Sequence, residues 1–242
     1  MTTVLSLGGS IVAPEGPDPA FLAQFMALVR EHLAVSQERR LILVVGGGGP
    51  ARSWQRAYRD VISMRGVIAA HDADRSGGGS DAQDWIGIMA TRLNAQLVKA
   101  LLGELCPQDV VTDPTSLSLF MGRVLVAAGW KPGFSTDFDA VMLAERFGAK
   151  RVLNLSNIAK VYTDDPRTNP AATPIDSIAW ADFRAIVGEE WSPGKNTPFD
   201  PVASRKASEL GLEVICAAGR DLDNLRHILE GESFIGTTIG PS

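Results

Sequence analysis

Five apolar residues, Leu41-Ile42-Leu43-Val44-Val45, run directly into four glycines, Gly46 to Gly49, and then into Pro50-Ala51-Arg52. A short apolar run bounded by glycine reads as a strand buried on both faces, and the proline suits the first turn of a following helix, where a missing amide costs least. The chain opens in the same order, with Val4-Leu5-Ser6-Leu7 leading into Gly8-Gly9-Ser10. Glycine lets an oxyanion reach backbone amides without a Cβ in the way, and the helix that follows adds its positive end. Two such turns side by side in a parallel sheet suggest two phosphate groups, although either turn alone reads equally well as a plain tight turn.

The rest of the chain alternates in the same way. Phe21, Leu22, Phe25, Leu28, Val29 and Leu33 recur at helical spacing between Pro19 and Glu38, and a further helix runs from Gly49 to about Ile62. Residues 69–83, with a Ser-Gly-Gly-Gly-Ser core, read as a mobile surface loop and a candidate lid, within which His71, Asp72 and Asp74 are solvated rather than metal-binding. Asp84 stands as the N-cap of a long helix beginning Asp84-Trp85-Ile86-Gly87-Ile88 and continuing through Val98. Strands are expected at Val110-Val111, Val124–Ala128, Arg151–Leu155, Glu213–Cys216 and Gly236–Ile239, with Val161–Arg167 turn-rich. Helices are expected near Asp139–Phe147, Trp180–Val187, Asp200–Leu210 and Leu222–Glu230, Asp200 doubling as an N-cap before Pro201. The fold class is therefore α/β, a three-layer α/β/α sandwich around a mostly parallel sheet, with ligands at the carboxyl ends of the strands.

At 242 residues, 45% hydrophobic and 21% charged, the chain suits one large domain or two closely joined lobes. A net charge of -5 argues against nucleic acid as a partner. Cys106 and Cys216 lack metal-site or disulfide spacing, which fits a reduced, cytoplasmic setting with no protein metal site. No apolar stretch approaches the ~18 residues that cross a bilayer, and the first residues read as a strand rather than a leader, so no membrane partner is expected. Neither glycine turn has the GxGxxG spacing of a dinucleotide oxidoreductase.

Six motifs then occur in order: Gly8-Gly9-Ser10; Val45-Gly46-Gly47-Gly48 with Arg52; Asp84-Trp85-Ile86-Gly87-Ile88 with Thr91-Arg92; Pro132 to Asp137; Asn157 to Pro166; and Phe199-Asp200-Pro201. Together they resemble the amino acid kinase family, and within it the archaeal-type uridylate (UMP) kinases. The resemblance implies one amino acid kinase domain over 1–242, with the acceptor lobe mainly in 1–150 and the nucleotide lobe mainly in 151–242. It implies transfer of the ATP γ-phosphoryl group to UMP with Mg²⁺, commonly in a homohexamer, the alternatives being a member of the same fold acting on another small acid or phosphate, or a noncatalytic nucleotide- or oxyanion-binding storage protein. It also implies roles. Gly8, Gly9 and Ser10 would contact the transferring phosphates on the ATP side; Gly9, Ser10 and Asp200 would form the catalytic set, to which Lys195, just after Ser192-Pro193-Gly194 and near Asp200 in sequence, is added as a candidate for the transferring phosphoryl group. Gly46, Gly47, Gly48 and Arg52 would hold the UMP phosphate, Asp84 the ribose or uracil, and Ser135, Thr136 and Asp137 the acceptor loop. Asn157, Lys160, Tyr162, Asp165 and Pro166 would surround ATP. Two positions depart from common family patterns: Ser6 stands where many members have lysine, and Ala159 where relatives often have aspartate.

Overall fold

A computed structural model describes residues 2–64, 78–116, 119–188 and 197–241. Strand β1 (Thr2–Leu7) leads through a single turn, α1 (Gly9–Val12), to helix α2 (Pro19–Ala34), strand β2 (Arg40–Val45) and helix α3 (Gly48–Met64). Next come helix α4 (Gly78–Leu102), strand β3 (Val124–Ala127), helix α5 (Thr136–Phe147) and strand β4 (Arg151–Ser156). Short strands β5 (Val161–Tyr162), β6 (Pro174–Ile175) and β7 (Ser177–Ala179) precede helices α6 (Trp180–Val187) and α7 (Pro201–Glu209). Strand β8 (Glu213–Ala218), helix α8 (Leu222–Glu230) and strand β9 (Thr237–Gly240) follow.

Among the described residues, seven strands form one sheet in the order β3-β2-β1-β4-β8-β9-β7, parallel at every pairing except β8 with β9. Leu7 lies opposite Val45 on one side and Leu155 on the other, so β1, β2 and β4 end level. The turns after them consequently share one edge. The chain leaves β1 toward β2 on one flank and β4 on the other, the kind of switch point where α/β sheets open a crevice.

Strands covered on both faces must be apolar on both, which is why β2 and β3 show continuous rather than alternating hydrophobicity, whereas β1 carries the buried polar residues Thr3 and Ser6. Leu5, Leu7, Leu41, Leu43 and Val45 join Phe25, Val29, Val98, Leu225 and Ile228 in one core. Val4, Ile42 and Val44 join Leu143, Phe183, Phe199 and Ala203 in the other. Each fully buried Leu or Phe contributes ~1.5–3 kcal/mol, and truncating Phe25 or Phe199 to alanine would cost ~3–5 kcal/mol. Helix ends follow local chemistry. Asp18 accepts from the Phe21 amide at 3.0 Å ahead of Pro19, while Gly148 (φ 64°) and Gly231 (φ 76°) end α5 and α8 in the left-handed conformation.

Several sequence expectations shift. Val110-Val111 supplies only a single bridge, Val111 to Ala127, because Val111 alone reaches the edge of β3. Helix α2 ends at Ala34, short of Glu38. Helix α5 starts at Thr136 rather than Asp139, because the Ser135 hydroxyl caps it by accepting from the Phe138 amide. The segment 161–167 includes β5, which pairs antiparallel with β6. Within the expected mobile loop, residues 78–83 belong to α4, and 69–77, including His71, Asp72 and Asp74, lie outside the described residues. Asp84 is therefore inside a helix and not its N-cap.

Candidate active site

The two glycine turns touch. A methyl group built on Gly9 would lie 2.0 Å from Gly48 N, and one on Gly46 would lie 2.5 Å from Gly9 N, so side chains at either position would drive the turns apart. Gly48 also adopts φ +65° as it opens α3, a conformation that L residues rarely take. The Gly46 amide continues the ladder to Leu7 O at 3.0 Å, whereas those of Gly9, Ser10, Gly47 and Gly48 find no acceptor among the described residues. Those four remain for an anion.

Beside the turns lies a cavity of about 270 Å³. Its walls are the start of α3 (Gly47, Gly48, Arg52, Gln55), one face of α4 (Asp84, Gly87, Thr91), and the end of the β3–α5 loop (Phe134, Ser135, Thr136). Helices α3 and α5 both begin here, and each presents unpaired amides and the positive end of its dipole. With the Arg52 guanidinium on the same wall, the cavity is suited to a phosphate and whatever is attached to it.

Side chains of α4 hold this arrangement. Asn94, buried within α4, donates from Nδ2 to Gly46 O (2.9 Å) and Gly47 O (3.1 Å), clamping the second glycine turn. Thr91 Oγ1 accepts from the Gly129 amide at 2.8 Å, and Asp84 Oδ2 accepts from the Gly133 amide at 3.1 Å. Gln55 reaches across Gly87 and donates to Gln83 O at 3.0 Å.

Three carboxylates stand at the start of α5 and α7. Ser6 Oγ donates to Asp137 Oδ1 at 2.8 Å, and the Asp200 amide donates to Asp137 Oδ2 at 3.3 Å. Asp137 is pushed up to about 6, mainly by burial; the Ser6 hydroxyl opposes the shift and the nearby Asp200 charge adds to it. Asp200 caps α7 by accepting from the Ala203 amide at 2.7 Å, as its place before Pro201 predicts, while its Oδ2 is buried without a hydrogen-bond partner among the described residues. Burial raises its pKa as well, against the pull of the Ala203 and Val202 amides and of the nearby Ser135 hydroxyl. Asp139 is pushed up to about 8, chiefly by burial, with the Trp130 amide pulling the other way.

Of the residues singled out by sequence, the cavity brings together Gly47, Gly48, Arg52, Asp84, Ser135 and Thr136. Gly46 adjoins it through Gly9, and Asp137 connects it to Asp200. Asn157, Lys160, Tyr162, Asp165 and Pro166 lie beyond the end of β4 and do not line it. There Lys160 pairs with Asp176, and Asp165 is pulled down to about 2 by its side-chain bonds to Arg167. Lys195 lies outside the described residues. Sequence reasoning assigned no role to Asn94; the available signal was a polar residue in phase with the buried positions Thr91, Ala95 and Val98.

Fold and cavity define an α/β protein that gathers two glycine turns and two helix N-termini at the carboxyl edge of a mostly parallel sheet. A model of the amino acid kinase family matches residues 1–217. Uridylate kinase of Methanospirillum hungatei is 35% identical over 241 residues, spanning 98% of this chain and 94% of that one. Uridylate kinase of Pyrococcus abyssi is 32% identical over the full length of both. The crystal structure of uridylate kinase from Archaeoglobus fulgidus superposes with a TM-score of 0.79 at 28% identity, covering 99% of this chain and all of that one. UMP kinase from Bacillus anthracis, at 17% identity and a TM-score of 0.69, shares the fold. The chain belongs to the amino acid kinase family, and within it to the group of the archaeal uridylate kinases.

Proposed function

We propose that this chain transfers the γ-phosphoryl group of ATP to UMP, giving ADP and UDP, a step of pyrimidine nucleotide biosynthesis. The observation that carries the reading is the cavity shared by Gly47, Gly48, Arg52, Asp84, Ser135 and Thr136, in a chain 35% identical to a uridylate kinase. A phosphate monoester has its second pKa near ~6, so UMP arrives at neutral pH largely as a dianion and needs no general base. Catalysis is then positioning and charge stabilisation for an in-line transfer.

In this reading the acceptor lobe is mainly 1–150. The amides of Gly47 and Gly48 and the Arg52 fork take the UMP phosphate, the Gly46 amide being held by Leu7 O, while Asp84 takes the ribose or uracil, and Ser135, Thr136 and Asp137 close the acceptor loop. The nucleotide lobe, mainly 151–242, places ATP against Asn157, Lys160, Tyr162, Asp165 and Pro166. Gly9 and Ser10 offer amides to the phosphates in transfer, while Gly8, whose amide is bonded to Leu155 O at 2.9 Å, shapes the turn, and Asp200 and Lys195 complete the catalytic set. Bound with ATP, Mg²⁺ neutralises phosphate charge. Asp200 Oδ2, buried and without a hydrogen-bond partner among the described residues, would be a hard oxygen donor for it, although the sequence pointed to no protein metal site.

We also read the chain as a homo-oligomer, a hexamer as the family resemblance implies. Supporting this, α3 and α4 expose large apolar side chains, with Trp54 68%, Met64 82% and Leu93 71% exposed. Cys106 and Cys216 are free and buried, which suits the cytoplasm, and no helix among the described residues is long and apolar enough to cross a membrane. The test is ADP release from Mg·ATP with UMP, CMP, dUMP or acetylglutamate as acceptor. UDP formed from UMP supports the reading, and turnover only with another acceptor rejects it.

A further inference from the structure

Gly129 and Trp130 open the loop that ends in the cavity wall, and every backbone polar group of the two is tied to a side chain. The Gly129 amide donates to Thr91 Oγ1 at 2.8 Å. Arg92 donates to Trp130 O at 2.9 Å and to Gly129 O at 3.4 Å. The Trp130 amide donates to Asp139 Oδ2 at 3.1 Å. Three of these four ties come from α4; the fourth comes from α5, the helix that the loop itself leads into.

Asp139 is a costly choice for that tie. It is 1% exposed, it sits next to the buried apolar residues Ala140, Val141 and Leu143, and its Oδ1 is buried without a partner among the described residues. A buried carboxyl with a single hydrogen bond is a net burden on folding unless the bond has another use. Its position supplies one. The Trp130 ring lies 5.1 Å from the Phe134 ring, and Phe134 lies 4.7 Å from Phe138 on α5. The Lys131 ammonium sits over both loop rings, 3.9 Å from Trp130 and 5.2 Å from Phe134. Phe134, Ser135 and Thr136 are themselves cavity wall.

We propose that Asp139 is a positioning residue for the acceptor: by holding the Trp130 amide it sets the aromatic stack and, through Phe134, the wall that UMP meets. The proposal rests on reading the cavity as the UMP site. Asp139 touches no reacting group. Its effect is on where Phe134, Ser135 and Thr136 stand before UMP arrives, and such preorganisation is read in acceptor affinity rather than in the chemical step.

The experiment compares the full-length wild type with Asp139→Ala, Asp139→Leu and Asp139→Asn, measuring kcat, the KM of UMP and the KM of ATP, together with thermal melting. Leucine fills the volume without offering an acceptor, so it serves if alanine fails to fold. Asparagine keeps an oxygen for the Trp130 amide. Losing one hydrogen bond of ~1–1.5 kcal/mol corresponds to about a tenfold change. The leucine and alanine variants should raise the UMP KM about tenfold, leave kcat and the ATP KM within about twofold, and be rescued by asparagine. An unchanged UMP KM in the leucine variant, or a lower kcat and melting temperature at constant KM, would overturn the proposal and leave the UMP reading standing. Absence of UMP turnover in the wild type would overturn both.

Discussion

Ser6 on β1 donates its hydroxyl hydrogen to Asp137 on α5 over 2.8 Å, joining two positions 131 residues apart. The other oxygen of Asp137 accepts from the Asp200 amide at 3.3 Å, so one carboxyl links β1, an inner strand of the sheet, to the starts of α5 and α7. At this position the chain has a neutral donor that orients an acid.

That relationship has a pH signature. The Ser6 bond favours ionised Asp137, whose carboxyl already sits at about 6 because of burial. Ser6→Ala removes the bond and raises it further. A hydrogen bond to a charged group contributes ~1.5–3 kcal/mol, so the acidic limb of kcat should move to higher pH by about one to two units. A pH–rate profile from pH 5 to 8 checks this, and an unmoved limb would assign it to another group.

Asp139 makes a prediction about stability. Its carboxyl keeps its proton up to about pH 8 in the folded protein but loses it near 3.8 when unfolded. The folded state therefore binds more protons throughout that window, and stability falls as pH rises through it, by up to ~1.4 kcal/mol per pH unit. Asp139→Asn carries no such proton and keeps the bond to Trp130. Its melting temperature relative to wild type should rise between pH 5 and 8; parallel melting curves across that range would contradict the assignment.

Arg52 lies exposed on the cavity wall, donating to Pro14 O at 3.2 Å. That neutral contact leaves the guanidinium available for a two-bond grip on phosphate. Arg52→Ala should raise the UMP KM by about tenfold or more with the ATP KM little changed, and Arg52→Lys, which keeps the charge without the fork, should fall between. Equal loss for both substrates would place Arg52 elsewhere in the reaction.

Asp200 has two roles that one substitution separates. Asparagine caps a helix as well as aspartate does, so Asp200→Asn should leave the melting temperature nearly unchanged. It removes the charge at the unpartnered Oδ2, and kcat should fall by about tenfold or more. A variant that melts early and turns over normally would reduce Asp200 to its cap.

Elements whose cause is local were legible in the sequence. Leu41–Val45 is apolar on both faces and forms a central strand; Asp200 before Pro201 caps its helix; the glycine turns stand together because β1 and β2 pair in parallel and end level. What was hidden depends on contacts distant in sequence. Asp84 looked like a helix start because glycines precede it, yet α4 already begins at Gly78, packed against α3, and Asp84 is free to meet Gly133. Asn94 holds carbonyls 47 and 48 positions away, and Asp139 looks from sequence like an ordinary acid in a first helical turn. Strands β5 and β6 have two residues each, too few for any period to show.

The most direct measurement is product-identified turnover by the purified full-length chain with Mg·ATP and, separately, UMP, CMP, dUMP and acetylglutamate. UDP and ADP released in equal amounts with UMP, and far less turnover with acetylglutamate, is the expected result. ATP binding without phosphorylation of UMP, or phosphorylation of acetylglutamate in its place, would contradict the assignment of the cavity beside Gly47 and Arg52 as the UMP site.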